Sequence, residues 1–281
     1  MKVSIIGLGL IGGSFSLALK KRLEEVEVVG WDNDPAHLQE AKALGIIDQM
    51  ADTLPDAVAH GDWVILAIPV NAIEHILPDC LSQLSETQTL VDFGSTKKMI
   101  CDAVQSHPKR SRFIAAHPIA GTEYSGPQAA FADLYEDKVM IVCDQDTSDV
   151  GRVNEFRKLC KMIGMNTTYL EAAEHDSHLA YVSHLSHVIA FGLSNTVLKK
   201  EENDAHILDL AGSGFASTVR LAKSSPAMWT PIFLKNKSAI LDSLDNYLEQ
   251  VTRFRELLNT EDQAGIEEFL VKGREIRKIL K

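Results

Sequence analysis

The sequence predicts an α/β protein with a doubly wound, mostly parallel sheet in its N-terminal part and an all-helical C-terminal part. Up to about residue 170, short apolar runs rich in β-branched residues alternate with amphipathic segments, as strands alternate with helices. Beyond that point the strand-like runs stop and a helical pattern continues almost to the end. A glycine-rich turn follows the first apolar run. These observations predict two domains, residues 1–170 and 171–281.

The strand candidates share a high content of β-branched and other apolar residues. They are Val3–Ile6, Glu27–Gly30, Trp63–Ile68, Thr89–Phe93, Phe113–Ala116, Val139–Val142 and Asn166–Leu170. Amphipathic segments between them predict helices, among them Ser14–Leu23, Ala36–Leu44 and Ile73–Leu81. Because strands and helices alternate, we expect most strands to pair in parallel, with helices on both faces of the sheet.

The composition excludes several functional classes. The chain has 28 Lys and Arg against 39 Asp and Glu, so it lacks the basic excess that binding to nucleic acid or anionic membranes requires. Its apolar runs reach about ten residues, short of the roughly 20 that span a bilayer. The four cysteines are widely spaced and the N-terminus has no pattern of a secretory leader. We therefore expect reduced thiols in a cytoplasmic protein.

Glycines follow the first predicted strand with the spacing of a dinucleotide-binding turn. In the run Gly7-Leu8-Gly9-Leu10-Ile11-Gly12, the first glycine permits a tight turn, the second admits the pyrophosphate, and the third lets the helix pack on the strand. Asp32 lies 25 residues after Gly7, where a carboxylate binds the ribose 2′-OH of NAD and repels the 2′-phosphate of NADP. The motif predicts a Rossmann-type domain that prefers NAD to NADP. The alternative is a turn whose glycines serve packing alone.

Polar residues also follow two later strands of the predicted sheet. Asp92–Lys97 closes one strand, and His117 follows another, with Pro118 and Gly121 predicting a loop behind it. Ligands of doubly wound sheets bind beyond the carboxyl ends of the strands. A histidine there suits a general base with a near-neutral pKa, whereas the alternative is a histidine that merely ends a strand.

The helical part has two histidine pairs and an arginine near a helix break. The pairs are His175 with His178 and His184 with His187. A spacing of three residues predicts that each pair shares one helix face. We expect these histidines to bind substrate and no metal, because no cysteine lies nearby and the H-E-x-x-H pattern is absent. Arg220 is either a clamp for a substrate carboxylate or a solvated surface charge.

These motifs resemble those of the prephenate and arogenate dehydrogenases of tyrosine biosynthesis, in their monofunctional form. The resemblance covers nearly the whole chain and rests on the segments GLGLIGGS, DFGSTK, HPIAGTE, EHDSHLAYVSHLSH and GSGFASTVRLAKSSPAMW. It implies NAD-dependent oxidative decarboxylation of prephenate to 4-hydroxyphenylpyruvate, or alternatively of arogenate to tyrosine. The rival interpretations are a β-hydroxyacid dehydrogenase or imine reductase, and a catalytically silent dinucleotide-binding regulator.

The resemblance also implies roles for individual residues. His117 would take the proton of the substrate 4-hydroxyl, while Ser95 would orient His117 and touch the nicotinamide or that hydroxyl. The implied substrate-binding residues are His187, Arg220, Glu123, Thr122, Ser183 and Trp229. The residues implied to support them are His175, Asp176 and His184. The implied cofactor-binding residues are Gly7, Gly9, Leu10, Ile11, Gly12, Asp32 and Ser95.

One segment, at Ala216 and Ser217, departs from the family pattern. Many relatives carry Arg-Asp after Gly-x-Gly-Phe, whereas this chain has Ala216 and Ser217, which puts an auxiliary carboxylate contact from this turn in doubt.

The helical part carries more apolar surface than a single layer of helices needs. This surface is contributed by Leu208–Leu210, Ile232–Leu234, Ile240–Leu244 and Tyr247–Leu248. Together with the resemblance it predicts a homodimer formed through the helical domain.

Overall fold

An eight-stranded sheet dominates the computed structural model, which describes residues 1–202, 204 and 206–279. Its strands are β1 (Lys2–Ile6), β2 (Glu27–Trp31), β3 (Gln49–Met50), β4 (Trp63–Leu66), β5 (Thr89–Asp92), β6 (Phe113–Ile119), β7 (Val139–Cys143) and β8 (Asn166–Leu170). Their spatial order is β3-β2-β1-β4-β5-β6-β7-β8, and all neighbours are parallel except the antiparallel pair β6 and β7. The winding reverses between β1 and β4, which opens the crevice where doubly wound sheets bind ligands.

Helices cover both faces of this sheet, as the alternation of strands and helices predicts. They are α1 (Leu10–Arg22), α2 (Pro35–Ala43), α3 (Leu54–His60), α4 (Val70–Gln83), α5 (Lys98–Val104) and α6 (Val150–Met162). Alternate residues of one strand enter two different apolar clusters: Ile65 belongs to one, and Val64 and Leu66 to the other. This two-sided burial explains why the central strands are apolar along their whole length.

Helices make up nearly all of the later described chain. They are α7 (Ala172–Leu179), α8 (Leu185–Glu201), α9 (Ser213–Thr218), α10 (Pro226–Lys235), α11 (Lys237–Asn259) and α12 (Gln263–Gly273). A π-helical turn, Ala180–His184, joins α7 to α8. Two compact units are present, one ending at Asn236 and the other beginning at Lys237. These units do not coincide with the predicted domains 1–170 and 171–281, whose boundary stays a prediction.

The predicted fold class is confirmed, one strand was not predicted, and the position of His117 was predicted wrongly. The short edge strand β3 was not predicted, because two residues are too few to form a recognisable apolar run. It pairs with β2. His117 lies inside β6 rather than beyond its end, since β7 pairs antiparallel with Ala115–Ile119 and extends the strand. None of the helices in the described part of the chain is long and apolar enough to cross a membrane.

Candidate active site

The glycine-rich turn between β1 and α1 has the geometry that a dinucleotide requires. Gly7 adopts a φ of +95°, and a Cβ there would lie 2.4 Å from the carbonyl oxygen of Ala67. A Cβ on Gly12 would lie 2.0 Å from the carbonyl oxygen of Gly7, so only glycine lets α1 pack this closely. Gly9 precedes α1 and has open space where its Cβ would be. Leu10 and Ile11 then form the first turn of α1, whose N–H groups face a phosphate site.

Asp32 lies directly after β2, beside this turn. One oxygen of its carboxylate accepts a hydrogen bond from the backbone N–H of Leu8 at 2.8 Å, and the other accepts from Asp34 N–H at 3.0 Å. Two backbone amides thus hold the carboxylate at the position where doubly wound folds bind the adenosine ribose. The cradle formed by the glycines and this carboxylate fits a dinucleotide.

Two glycine substitutions separate folding from cofactor binding. We expect Gly9→Ala to fold normally but to raise the dissociation constant of NADH about tenfold or more, because its methyl group enters the phosphate space. Gly12→Ala instead destabilises the protein by about 1–3 kcal/mol, because its methyl group collides with the backbone. Thermal unfolding and NADH titration of both variants check this contrast. Undiminished NADH affinity in Gly9→Ala would contradict it.

His117 is the first member of a buried hydrogen-bonded chain. Its Nδ1 lies 2.8 Å from Nε2 of His175, a residue 58 positions later in the chain. Nδ1 of His175 lies 2.8 Å from an oxygen of Asp176. The Asp176 carboxylate also accepts the backbone N–H groups of Lys97 at 2.7 Å and Lys98 at 2.9 Å. The start of α5 thereby anchors the whole chain of side chains.

The direction of these hydrogen bonds fixes the protonation of both rings. Burial alone would raise the pKa of Asp176, but hydrogen bonds from His175 and the two amides hold it below its ordinary value. The ionised carboxylate accepts only, so Nδ1 of His175 carries a proton and its Nε2 does not. His117 therefore donates through Nδ1 and keeps Nε2 as its unprotonated nitrogen. Burial, reinforced by the neighbouring His175, holds the pKa of His117 well below its ordinary range.

A fully buried ion pair lies behind His117. The ammonium of Lys97 contacts the carboxylate of Asp92 and donates to the carbonyl oxygen of Ala116 at 2.8 Å. Asp92 ends β5 and Ala116 precedes His117 in β6, so this lysine ties the two strands together next to the imidazole. Burial raises the pKa of Asp92 against the opposing effect of the Lys97 ammonium. Ser95 is half-buried in the same turn, and the ring that orients His117 is His175.

The π-helical turn and α8 present two further histidines in different environments. His184 is buried, and its Nδ1 accepts from the side-chain amide of Asn236, which also donates to the carbonyl oxygen of Asp176 at 2.7 Å. Burial lowers the pKa of His184 to about 4. His187 stacks on Trp229 with ring centroids 3.5 Å apart, and its Nδ1 donates to the carbonyl oxygen of Ser183 at 2.9 Å. This hydrogen bond occupies Nδ1 of His187, so Nε2 is the ring nitrogen that remains for another partner.

The expectation that each histidine pair shares one face is wrong for the first pair. His175 is fully buried, whereas His178 is 58 % exposed and faces Glu174 at 3.8 Å. The two residues lie on different sides of α7, because residues three apart in a helix point in directions that differ by about 60°. In the second pair, both rings contact Trp229, His184 edge-on and His187 face-on.

Arg220 and Glu123 form an ion pair beside a cavity. The guanidinium lies 3.2 Å from the Glu123 carboxylate, and about half of the arginine side chain is exposed. A cavity of about 190 Å³ opens beside Glu123, between the loop after β6 and the start of α10. Its lining residues are Pro69, Thr122, Glu123, Tyr124, Ser125, Ser224, Ser225, Ala227 and Met228. Arg220 therefore has a carboxylate partner, Glu123, that lines the cavity.

The topology brings these groups to one edge of the sheet. The glycine turn follows β1, the Asp92–Lys97 turn follows β5, and His117 lies near the end of β6. Because β1, β4, β5 and β6 are parallel neighbours, their carboxyl ends share this edge. Sequence reasoning missed Asn236, which no local pattern distinguishes from other helix-terminal asparagines. The same edge of the sheet therefore carries the glycine turn and an imidazole with an unprotonated nitrogen.

Known proteins show the same organisation over the whole chain. Residues 15–169 match the family model described as prephenate dehydrogenase, nucleotide-binding domain, and residues 171–272 match prephenate dehydrogenase, dimerization domain. The prephenate dehydrogenase of Bacillus subtilis is 33 % identical, covering 98 % of this chain and 75 % of its own length. The cyclohexadienyl dehydrogenase of Zymomonas mobilis is 30 % identical over 99 % of this chain and 96 % of its own length.

A solved structure agrees equally well. The crystal structure of prephenate dehydrogenase from Aquifex aeolicus, in complex with hydroxyphenyl propionate and NAD⁺, superposes with a TM-score of 0.91 at 30 % identity. The match covers 100 % of this chain and 98 % of that one. Both halves of the sequence thus lead to one assignment. This chain belongs to the prephenate dehydrogenase family.

Proposed function

We propose that the protein is an NAD-dependent prephenate dehydrogenase that forms 4-hydroxyphenylpyruvate, CO₂ and NADH. The single observation that carries this proposal is the buried His117, whose Nδ1 is committed to His175 and whose Nε2 is left as a base at the dinucleotide edge. A relative of known structure, with 30 % identity, holds hydroxyphenyl propionate and NAD⁺ together. Hydroxyphenyl propionate has the ring and a side chain of the length that the product would have.

The chain's own residues supply proton transfer and positioning. Nε2 of His117 accepts the proton of the substrate 4-hydroxyl as that carbon becomes a carbonyl. NAD, when bound, accepts the hydride that leaves the same carbon. The ring carboxylate then leaves as CO₂, its bonding electrons make the ring aromatic, and His117 returns its proton to the phenolate oxygen. Asp176, acting through His175, stabilises the imidazolium that forms between these two steps.

An absorbance assay tests the proposed reaction directly. Incubation with NAD and prephenate is expected to produce NADH and CO₂ in equal amounts, because each hydride transfer is followed by loss of one carboxylate. The same assay with arogenate tests the alternative substrate, and NADP in place of NAD tests the proposed cofactor preference, which rests on Asp32. Turnover of arogenate but not prephenate would replace the substrate assignment. The absence of NADH formation with either substrate would refute the dehydrogenase.

Loss of Arg220 is expected to weaken substrate binding more than chemistry. A charge-assisted hydrogen bond to a substrate carboxylate contributes about 1.5–3 kcal/mol, and it is present before and during hydride transfer. Arg220→Ala should therefore raise KM about 10- to 100-fold with a small change in kcat. Steady-state kinetics with prephenate measure both constants. Arg157→Ala, on the exposed side of α6, is the control, and an unchanged KM in Arg220→Ala would reject the clamp.

We also propose that the protein forms a homodimer through its helical part. Large apolar side chains there lie open to solvent in the single chain, among them Val182 at 74 % exposure and Leu210 at 87 %. Exposed apolar surface of this kind marks an interface with another chain. The match of residues 171–272 to a dimerization domain supports the same assembly. Light scattering should give twice the chain mass of 31.0 kDa, and a mass of one chain would refute the dimer.

A further inference from the structure

A histidine lies beside the carboxylates that follow β2. His37 occupies the first turn of α2, and its Nδ1 is 4.0 Å from an oxygen of Asp32. Its Nε2 is 4.0 Å from an oxygen of Asp34, the residue that caps α2. The ring is 42 % exposed, so it lies between two carboxylates and solvent.

The position of His37 matters because of what binds there. Asp32 marks the ribose of the adenosine half, and a 2′-phosphate on that ribose would meet the turn from Asp32 to the start of α2. The loop before the short 3₁₀ helix Pro127–Ala129 also approaches the ring, since a Cβ on Gly126 would come 3.9 Å from Nε2 of His37. Imidazole Nε2 thus faces the space between the turn and this loop.

The charged groups around this space are predominantly acidic. Asp32 and Asp34 lie at the N-terminal end of α2, and Glu40 lies one turn further along it, where its carboxylate accepts from Gln128 of the opposite loop. These carboxylates repel a 2′-phosphate while His37 is neutral. A protonated His37 would reduce that repulsion and offer an N–H donor at the same point.

We propose that His37 is a specificity-determining residue for the cofactor, whose protonation narrows the preference for NAD over NADP as the pH falls. The inference rests on the proposed binding of NAD. Imidazole is the side chain that ordinarily changes charge between about pH 5 and 8, so the preference is greatest at the alkaline end of that range.

Nucleotide titrations without substrate test this proposal independently of activity. NADH and NADPH fluorescence gives both dissociation constants at about pH 6 and about pH 8, for the wild type, His37→Gln and the control His178→Gln. In the wild type and in the control, the ratio of the NADPH to the NADH constant should fall about five- to tenfold from the higher to the lower pH. In His37→Gln the fall should be clearly smaller, because glutamine cannot acquire the charge and only the 2′-phosphate of the nucleotide changes its own.

The comparison with the variant is needed because the 2′-phosphate itself gains a proton near pH 6, which also lessens its repulsion by the carboxylates and lowers the ratio. Both proteins meet the same nucleotide, so this contribution cancels between them. An equal pH dependence in His37→Gln, or a constant ratio in the wild type, would overturn the role of His37 alone. Failure to bind either nucleotide at both pH values would instead overturn the proposed cofactor and this inference with it.

Discussion

Replacement of His117 by asparagine is expected to lower kcat by about 10²–10⁴-fold with a modest change in KM. Asparagine can still bond to His175, so the buried chain of hydrogen bonds survives, but no basic nitrogen remains to take the hydroxyl proton. Steady-state NADH formation from prephenate measures both constants. NADH titration serves as the control, because the glycine turn is untouched and the dissociation constant should stay the same. An undiminished kcat would remove His117 from the chemistry.

The direction of the pKa shift of His117 determines the pH profile. Burial holds this pKa well below its ordinary range, so the imidazole is already unprotonated at neutral pH. The base is lost only when the pH falls through this lowered pKa, and kcat should therefore be flat through neutrality and decline on the acid side. A histidine with an ordinary pKa would place the decline near pH 6.5. A kcat that falls as the pH rises from about 6 to 8 would contradict the assignment of His117 as base.

Replacement of Lys97 by methionine is expected to cost about 3–5 kcal/mol of the free energy of unfolding. The substitution keeps an unbranched side chain one atom shorter but leaves the fully buried carboxylate of Asp92 without its counter-charge. Urea denaturation at a fixed protein concentration measures the loss. Lys98→Met is a matched control at the next position, since Lys98 is half-exposed and pairs with Asp102 at the surface, where such pairs contribute about 0–1 kcal/mol.

A second substitution separates charge burial from packing. Asp92→Asn combined with Lys97→Met removes both charges and keeps an oxygen for the backbone N–H of Gly94, so it should recover part of the stability. In Lys97→Met alone, protonation of Asp92 relieves the penalty, so the deficit should shrink as the pH is lowered. A loss no larger than that of the Lys98→Met control would show that the buried pair contributes no net stability.

The cofactor cradle could be predicted because its requirements are local. A positive φ at Gly7 and the close approach at Gly12 depend on a few consecutive residues, and their spacing is visible in the sequence. The alternation of strands and helices was equally readable, since burial on both faces of a parallel sheet demands continuous apolar runs. The antiparallel pairing of β7 with β6 was not readable, and so His117 was expected beyond the strand end rather than within it.

Charge and proton positions at the site depend on contacts between distant residues. His117 meets His175 across 58 residues, and the backbone N–H of Lys97 meets Asp176 across 79. Neither separation corresponds to the period of a helix or a strand, because these contacts are set by the order of the strands and the packing of α7 against α5. The sequence alone specified the residues of the cradle and the class of fold. Three-dimensional packing selected which nitrogen of His117 is free and which histidine of α7 is buried, since hydrogen-bond direction and burial belong to the folded chain and not to local pattern.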